Sequence, residues 1–341
     1  MLRGLVKNKM ERVNKEISEA ETAEEKVKAY RQGMSVPAGA VIFGKYEIVE
    51  GQLGNCPVTW MSQDFFPVDR AILYLHGGGY IGGSVLFSRN GAASLAVEFG
   101  SKLAAIDYRL APEHPWPAAL DDALAAYEQM LSDGMPAEGI VIVGESAGAG
   151  LALATVLAAK DKGLAMPAAV IALSPWCDLT MSNITMRANR RRDIMLTNEL
   201  LTLASSLYAG DNDRTNPYIS PIFGDFSGFP PLLIQVAAEE LLLGEIIDTA
   251  GRAAEQSENE VQLEIYEGVW HVWQTMDEIV PEARQAVEKM GAFVKRYLPE
   301  IQTEDSAANK EEDKGADKST GKATGKSTGR SKTKQDKADM V

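Results

Sequence analysis

Cysteine and histidine are scarce in this chain of 341 residues, with two of the first and three of the second. Cys56 and Cys177 lie in neither a C-x-x-C nor a C-x-x-H spacing, which excludes a disulfide framework and leads us to expect a reduced, cytoplasmic protein. Long apolar runs are also missing: "AAVIALS" and "PPLLIQVAA" fall far short of a membrane span, so no integral membrane segment is expected. The first residues, "MLRGLVKNKMERVNKEISEAE", are charged throughout and lack the apolar core and cleavage site of a signal peptide. Positive charge is in deficit as well. A formal net charge of −14 argues against a nucleic-acid partner for the body of the protein.

The charge is uneven along the chain. The charged residues from Glu304 to Asp317 are mostly acidic, and those from Lys318 to Lys337 are mostly basic. Around "STGKATGKSTGRSKTK" there is no large apolar side chain, so burial cannot offset the entropy of ordering; residues 302–341 are expected to be a disordered, solvated tail. At the other end, Leu2, Leu5, Val6, Met10, Val13 and Ile17 recur at helical spacing and predict amphipathic helices over residues 1–33. Tyr46 to Asp64 reads as a hairpin.

Beyond the hairpin, short apolar runs alternate with helical periods. "RAILYLH", "SKLAAIDY", "GIVIVG", "AAVIALS", "PPLLIQVAA" and "VQLEIY" read as strands, and "ALDDALAAYEQML", "AGLALATVLAAKDKG" and "PEARQAVEKMGAFVKRYL" as helices. Buried strands alternating with helices predict an α/β fold, a mostly parallel sheet covered on both faces. Between Asp178 and Phe229 the chain leaves this pattern for about fifty residues with no clear strand, which suggests an insertion that covers something.

Two glycine-rich turns carry the chemistry. "VIVGESAGAGLALA" reads as strand, turn and helix with Ser146 at the centre of a G-x-S-x-G elbow, where a tight turn presents the hydroxyl and glycines at 144 and 148 leave room for it. The motif arises by chance in isolation; between a strand and a small-residue helix it is specific. Seventy residues earlier, "LYLHGGGYIGG" gives up its side chains at the end of a buried strand. A serine that attacks an acyl group generates an oxyanion, which needs preorganised N–H donors. The amides of Gly78 and Gly79, joined by that of Ala147, are the candidate donors.

A serine nucleophile needs a histidine base, reached in the chain order serine, acid, histidine. His76 and His114 both precede Ser146, which leaves His271 in "YEGVWHVWQ". The acid should follow the strand "PPLLIQVAA". There the chain reads "EELLLGE", so Glu240 and Glu239 are both candidates, and the next aspartate, Asp248, lies well into the following helix. Two-step acyl transfer by such a triad requires no metal or organic cofactor.

At this point "HGGGY", "DYRLAPEHPWPAALDDA", "GESAGAG" and "WHVW" resemble the hormone-sensitive-lipase-like branch of the α/β-hydrolases, its bacterial esterases in particular, over roughly Val36 to Leu298. The resemblance implies an eight-stranded, mostly parallel sheet flanked by helices, with a helical cap. On that basis residues 1–45 contribute helices to the cap, 46–301 form the catalytic domain with 178–229 inserted into the cap, and 302–341 are the tail. It also implies Ser146 as nucleophile, His271 as base, and Gly78, Gly79 and Ala147 as oxyanion donors. The family's acid usually opens a D-P-L-x-D stretch; aligning its leucine with Leu242 favours Glu240 over Glu239 and marks a departure from aspartate. Glu145 and Ala149 depart from the usual aspartate and glycine of the elbow. His76 and His114 fall at structural positions, and Asp107, Tyr108 and Arg109 are expected to brace the loops.

The expected substrate is a small-molecule ester with a short to medium acyl chain. Met181, Met186 and Met195, with the tryptophans, suggest an apolar, adaptable pocket. A homo-oligomer is compatible with the pattern. Two other readings share it: a non-catalytic small-molecule receptor on the same fold, and a scaffold tethered through the lysine-rich tail.

Overall fold

The computed structural model describes residues 2–35, 46–63, 66–184 and 186–299. The tail expected over 302–341 lies outside the described residues. Two helices open the chain, α1 (Leu2–Glu19) and α2 (Ala23–Gly33). A capping box starts α2: Thr22 Oγ1 accepts the Glu25 amide at 3.2 Å, and Glu25 Oε2 accepts the Thr22 amide at 3.0 Å. Met10, Val13 and Ile17 of α1 are buried as the periodicity predicts, but Leu5 is 61% exposed. At 100° per residue Leu5 lies about 100° from the centre of the stripe formed by Leu2, Val6, Met10, Val13 and Ile17, outside the seated face.

An antiparallel hairpin follows, β1 (Glu47–Leu53) and β2 (Cys56–Ser62), then β3 (Ala71–Leu75), α3 (Val85–Phe99), β4 (Lys102–Ile106) and α4 (Ala118–Ser132). The central unit is β5 (Ile140–Glu145), α5 (Ala147–Asp161) and β6 (Ala169–Leu173). After it come α6 (Met186–Asn189) and α7 (Asn198–Ala209), and finally β7 (Leu232–Ala237), α8 (Leu243–Gln256), β8 (Val261–Tyr266) and α9 (Pro281–Val294). Helix α3 has no counterpart in the sequence reading. Nine of its fifteen residues are buried, and "NGAASLA" in its middle gives no polar face to mark a period. Its ends carry the expected signals: Ser84 Oγ accepts the Phe87 amide at 3.3 Å, and Gly100 closes it at φ 59°.

The eight strands form one sheet in the order β1-β2-β4-β3-β5-β6-β7-β8. β2 is antiparallel to its neighbours β1 and β4, and all other pairs are parallel. Alternation along each strand divides the core between the two faces. Leu73, Leu75, Ile140 and Ile142 face one cluster with α4, α5 and α8; Ile72, Tyr74, Val141 and Val143 face the other with α3 and α9. Helix α5 buries thirteen of its fifteen residues, so truncating a side chain there, such as Leu153→Ala, costs about 2–5 kcal/mol. The parallel register brings Leu75 opposite Gly144, and Glu145 opposite Leu173. The loops leaving β3, β5, β7 and β8 therefore emerge at one edge, where α/β sheets bind ligands.

The Asp178–Phe229 excursion contains α6, α7 and a 3₁₀ turn at Pro221–Phe223, and no strand among the described residues. It meets the N-terminal helices through Lys26 Nζ and Glu199 Oε1, 2.6 Å apart, and through Asn14 Nδ2, which donates to Met195 O at 3.4 Å. It meets the glycine loop through the Tyr80 and Tyr208 rings, stacked 3.7 Å apart.

Candidate active site

Ser146 stands between β5 and α5 with φ 55° and ψ −121°, a conformation a non-glycine residue holds only where its surroundings impose it. Those surroundings are close. A Cβ on Gly144 would come within 2.2 Å of Gly148 O, and one on Gly148 within 2.2 Å of Leu75 O. The two glycines let β3, β5 and α5 converge beneath the serine.

His271 follows β8. Its Nε2 lies 2.8 Å from Ser146 Oγ and its Nδ1 lies 2.6 Å from Glu240 Oε2. A carboxylate only accepts, so the network assigns the imidazole proton to Nδ1 and leaves Nε2 to accept from the serine hydroxyl. Burial pushes the imidazole pKa down, but the charge and hydrogen bond of Glu240, together with Asp193 and Glu145, more than offset it; the net shift is upward.

Glu240 and Glu239 part company here. Glu240 is buried just beyond β7, where its Oε1 accepts from Ser174 Oγ and from the Ala237 amide, both at 2.7 Å. The longer side chain is thus folded back onto its own strand end. Glu239 pairs with Arg3, and with Arg192 at 3.5 Å, and the Arg3 hydrogen bond pulls its carboxyl below the usual range.

The glycine loop is shaped by a second carboxylate. Glu145 Oε1 accepts the Gly77 amide at 3.0 Å and the Ser88 hydroxyl, so the glutamate that replaces the elbow's usual aspartate braces the loop. Gly78 has φ 121°, and a Cβ there would lie 2.1 Å from Gly82 O. The amides of Gly78, Gly79 and Ala147 have no partner among the described residues. Gly78 and Gly79 line the same cavity as Ser146, and Ala147 follows Ser146 at the start of α5.

His76 is buried and stacked on Tyr108 at 4.3 Å, and the Tyr108 hydroxyl donates to His76 O at 2.6 Å. Asp107 Oδ1 accepts the Val85 amide at 2.8 Å, and Arg109 makes a forked pair with Asp122. His114 is exposed on the following loop. His76, Asp107, Tyr108 and Arg109 thus tie the loops together, whereas the His114 side chain is exposed.

A cavity of about 100 Å³ opens over Ser146 and His271. Of the three methionines expected to line it, only Met195 does; Met10, Met34 and Met276 take part instead. Met186 turns into the core beneath α7, and Met181 packs against that core. Trp270 and Trp176 line the cavity, whereas Trp273 is buried in the α9 side of the core. Three polar residues near the Ser146–His271–Glu240 hydrogen-bond chain carry no sequence motif. Ser174 donates to Glu240 and accepts the Val272 amide at 3.3 Å, and Asn189 and Asp193 approach the Glu240 loop from the excursion. Their separation along the chain hides them.

A serine on a strand–helix elbow of a parallel sheet defines a class, and comparison with known proteins agrees. Residues 72–275 match the family model for the α/β-hydrolase fold. An acetyl-hydrolase of Streptomyces hygroscopicus is 34% identical over 298 residues, covering 86% of this chain and 95% of that protein. An ethyl acetate hydrolase of Pseudomonas putida is 32% identical over 236 residues, 67% of this chain and 73% of that one. Among solved structures, a hormone-sensitive lipase from a metagenome library matches with a TM-score of 0.77 and 34% identity, covering 86% of this chain and 98% of its own. An esterase of the bacterial hormone-sensitive lipase family matches at 0.76 and 30%, covering 86% and 99%. The chain belongs to the α/β-hydrolase family. Within it, the chain is a serine ester hydrolase of the hormone-sensitive-lipase-like bacterial branch.

Proposed function

We propose that the protein is a carboxylesterase for short- to medium-chain acyl esters that works through an acyl-enzyme, with Ser146 as nucleophile, His271 as general base and Glu240 as the acid that orients it. The observation that carries this reading is the unbroken hydrogen-bond chain from Ser146 Oγ through His271 to Glu240 Oε2. His271 Nε2 takes the hydroxyl proton as Oγ attacks the ester carbonyl. The amides of Gly78, Gly79 and Ala147 hold the resulting oxyanion; one such donor contributes about 100- to 1000-fold to turnover. The imidazolium then protonates the departing alkoxide. Water, deprotonated by the same nitrogen, releases the carboxylic acid and restores the serine.

The small apolar cavity supports the short-acyl end of the range, as do the acetyl-hydrolase and ethyl acetate hydrolase among the relatives. α1, α2 and the 178–229 excursion act as the cap in this reading, because Met10, Tyr30, Met195, Leu200 and Leu201 wall the cavity over Ser146. Deleting residues 302–341 should leave ester turnover intact.

The test is a chain-length series of p-nitrophenyl esters with Ser146→Ala beside the wild type. Turnover that peaks at short acyl chains and vanishes in the variant supports the reading. Equal inertness of both proteins, with no labelling of Ser146 by a fluorophosphonate, would return the chain to a binding role on this fold.

A further inference from the structure

The loop that carries Glu240 is gripped from the Asp178–Phe229 excursion. Asn189 Nδ2 donates to Ala238 O at 3.1 Å and to Glu240 O at 2.8 Å. Four residues later, Asp193 Oδ2 accepts the Leu241 amide at 2.8 Å, and its Oδ1 accepts the amides of Met195 and Leu196 at 2.8 and 2.9 Å. Asn189 O accepts the amides of Arg192 and Asp193 at 2.8 and 2.9 Å, so one turn of backbone fixes the spacing of the two gripping side chains. Backbone groups on both sides of the Glu240 side chain are thereby held. Met195 and Leu196 are also part of the cavity wall.

We propose that Asn189 and Asp193 are positioning residues for the catalytic acid, so that the segment walling the substrate cavity also sets the alignment of Glu240 on His271. The inference rests on the Ser146–His271–Glu240 reading. Physically, a carboxylate orients an imidazole only as well as its own backbone is fixed. Glu240 stands on a short turn rather than inside a strand or helix. Its Oε1 is anchored by Ser174 and Ala237, and its backbone by Asn189 and, through Leu241, by Asp193. The charged groups that act on His271 are the carboxylates of Glu240, Asp193 and Glu145. The charged groups that act on Asp193 in turn are His271 and Glu240, while the adjoining Arg192 is drawn to Glu239 with Arg3. Asp193 therefore adds a second negative charge that favours the imidazolium formed during acyl transfer, without touching it.

The experiment compares the wild type with Asp193→Asn, Asn189→Ala and Glu240→Gln. It follows kcat, KM and the pH dependence of kcat/KM on p-nitrophenyl butyrate, each normalised to serine titrated with a fluorophosphonate. The normalisation removes any fraction that fails to fold. Asp193→Asn keeps an oxygen for the Met195 and Leu196 amides but turns a donor, or nothing, toward Leu241. We expect both excursion variants to lose kcat, by up to about 100-fold for a displacement on the order of 1 Å, with KM little changed. Asp193→Asn, having lost a negative charge, should also move the acid limb to lower pH. A merely structural wall would behave otherwise: KM would rise through Met195 and Leu196, while kcat and the acid limb stayed at wild-type values, and that result overturns the inference. If Glu240→Gln itself kept wild-type kcat and profile, the triad reading would fail and take the inference with it. A collapse in Glu240→Gln alone would remove the inference and leave the triad standing.

Discussion

Glu240 sets its Oε2 2.6 Å from His271 Nδ1, while its chain neighbour Glu239 faces Arg3 and Arg192. Adjacent glutamates thus have separable consequences. Replacing Glu240 by Gln removes the charge that stabilises the imidazolium and can present an N–H where the ring also donates. By analogy with triad acids in general, the expected loss in kcat is about 10⁴-fold. Glu239→Gln removes only partly exposed ion pairs, to Arg3 and Arg192, and should leave kcat within about twofold, since such pairs contribute on the order of 1 kcal/mol or less each to stability and lie off the reaction path. Steady-state kinetics of both variants on one ester distinguishes them, and equal losses would contradict the assignment.

The His271 environment predicts the direction of the pH profile. Its folded pKa is raised, because Glu240, Asp193 and Glu145 outweigh burial. In the proposed mechanism His271 must be neutral to accept the serine proton, so kcat/KM should fall as pH drops through a midpoint above the ordinary imidazole value. For stability the sign is the reverse of a carboxylate's. A histidine with a raised folded pKa contributes stability below its unfolded pKa and loses it as pH rises through the folded one. Profiles of kcat/KM in wild type and Glu240→Gln test this. The variant's acid limb should move to lower pH, since the largest charge that favours the imidazolium is gone.

What the sequence makes legible follows from where the constraint lies. The elbow at Ser146 and the loop at Gly78 are written in consecutive residues because local backbone geometry demands glycine there. His271 stands out because only three histidines exist and two precede the serine. The choice between Glu240 and Glu239 is invisible locally, since either carboxylate can leave that turn and only Ser174, Ala237 and Arg3 decide which turns inward. Asn189 and Asp193 act on the acid loop from about fifty residues away and form no motif with it. Helix α3 is hidden for a different reason: it is buried along most of its surface, and a helix without a polar face has no period to read. The methionines mislead in the same way, because composition marks an apolar segment without saying which side chains reach the cavity.

Two glycines should respond oppositely to alanine. At Gly78 a Cβ meets Gly82 O at 2.1 Å and the φ of 121° is disfavoured, so Gly78→Ala must displace the loop of the proposed oxyanion donors. Loss of one donor predicts a fall in kcat of about 100- to 1000-fold. Gly251 lies within α8, exposed, with no positive φ and nothing within 4 Å of the point where an added Cβ would stand. Gly251→Ala should stabilise the protein by about 0.4–1 kcal/mol, by lowering the entropy of the unfolded chain, and leave turnover unchanged. Denaturant melts and kinetics on both variants check the pair.

Arg31 ties α2 to the glycine loop. Its Nε donates to Ile81 O at 2.7 Å, its Nη2 to Ala111 O at 3.0 Å, and its two terminal nitrogens each reach a Glu113 oxygen at 2.7 Å. Ile81 and Gly82 in turn donate their amides to Gly78 O at 3.2 and 2.9 Å, so the guanidinium is two hydrogen bonds from Gly78, a proposed oxyanion donor. Arg31→Met keeps the stem and removes the fork. It should destabilise the protein by about 1.5–3 kcal/mol, the range for hydrogen bonds to a charged group, and lower kcat more than it raises KM. The pH dependence carries its own sign. The Arg31 hydrogen bond holds the Glu113 carboxyl down at about 2 against an ordinary 4.5. The stabilisation is therefore present above 4.5 and is lost as pH falls toward 2. The gap in melting temperature between wild type and Arg31→Met should be widest near neutrality and narrow below pH 4.5. A gap that stays constant across that window would mean that the carbonyls of Ile81 and Ala111, which do not titrate, carry all of the Arg31 contribution.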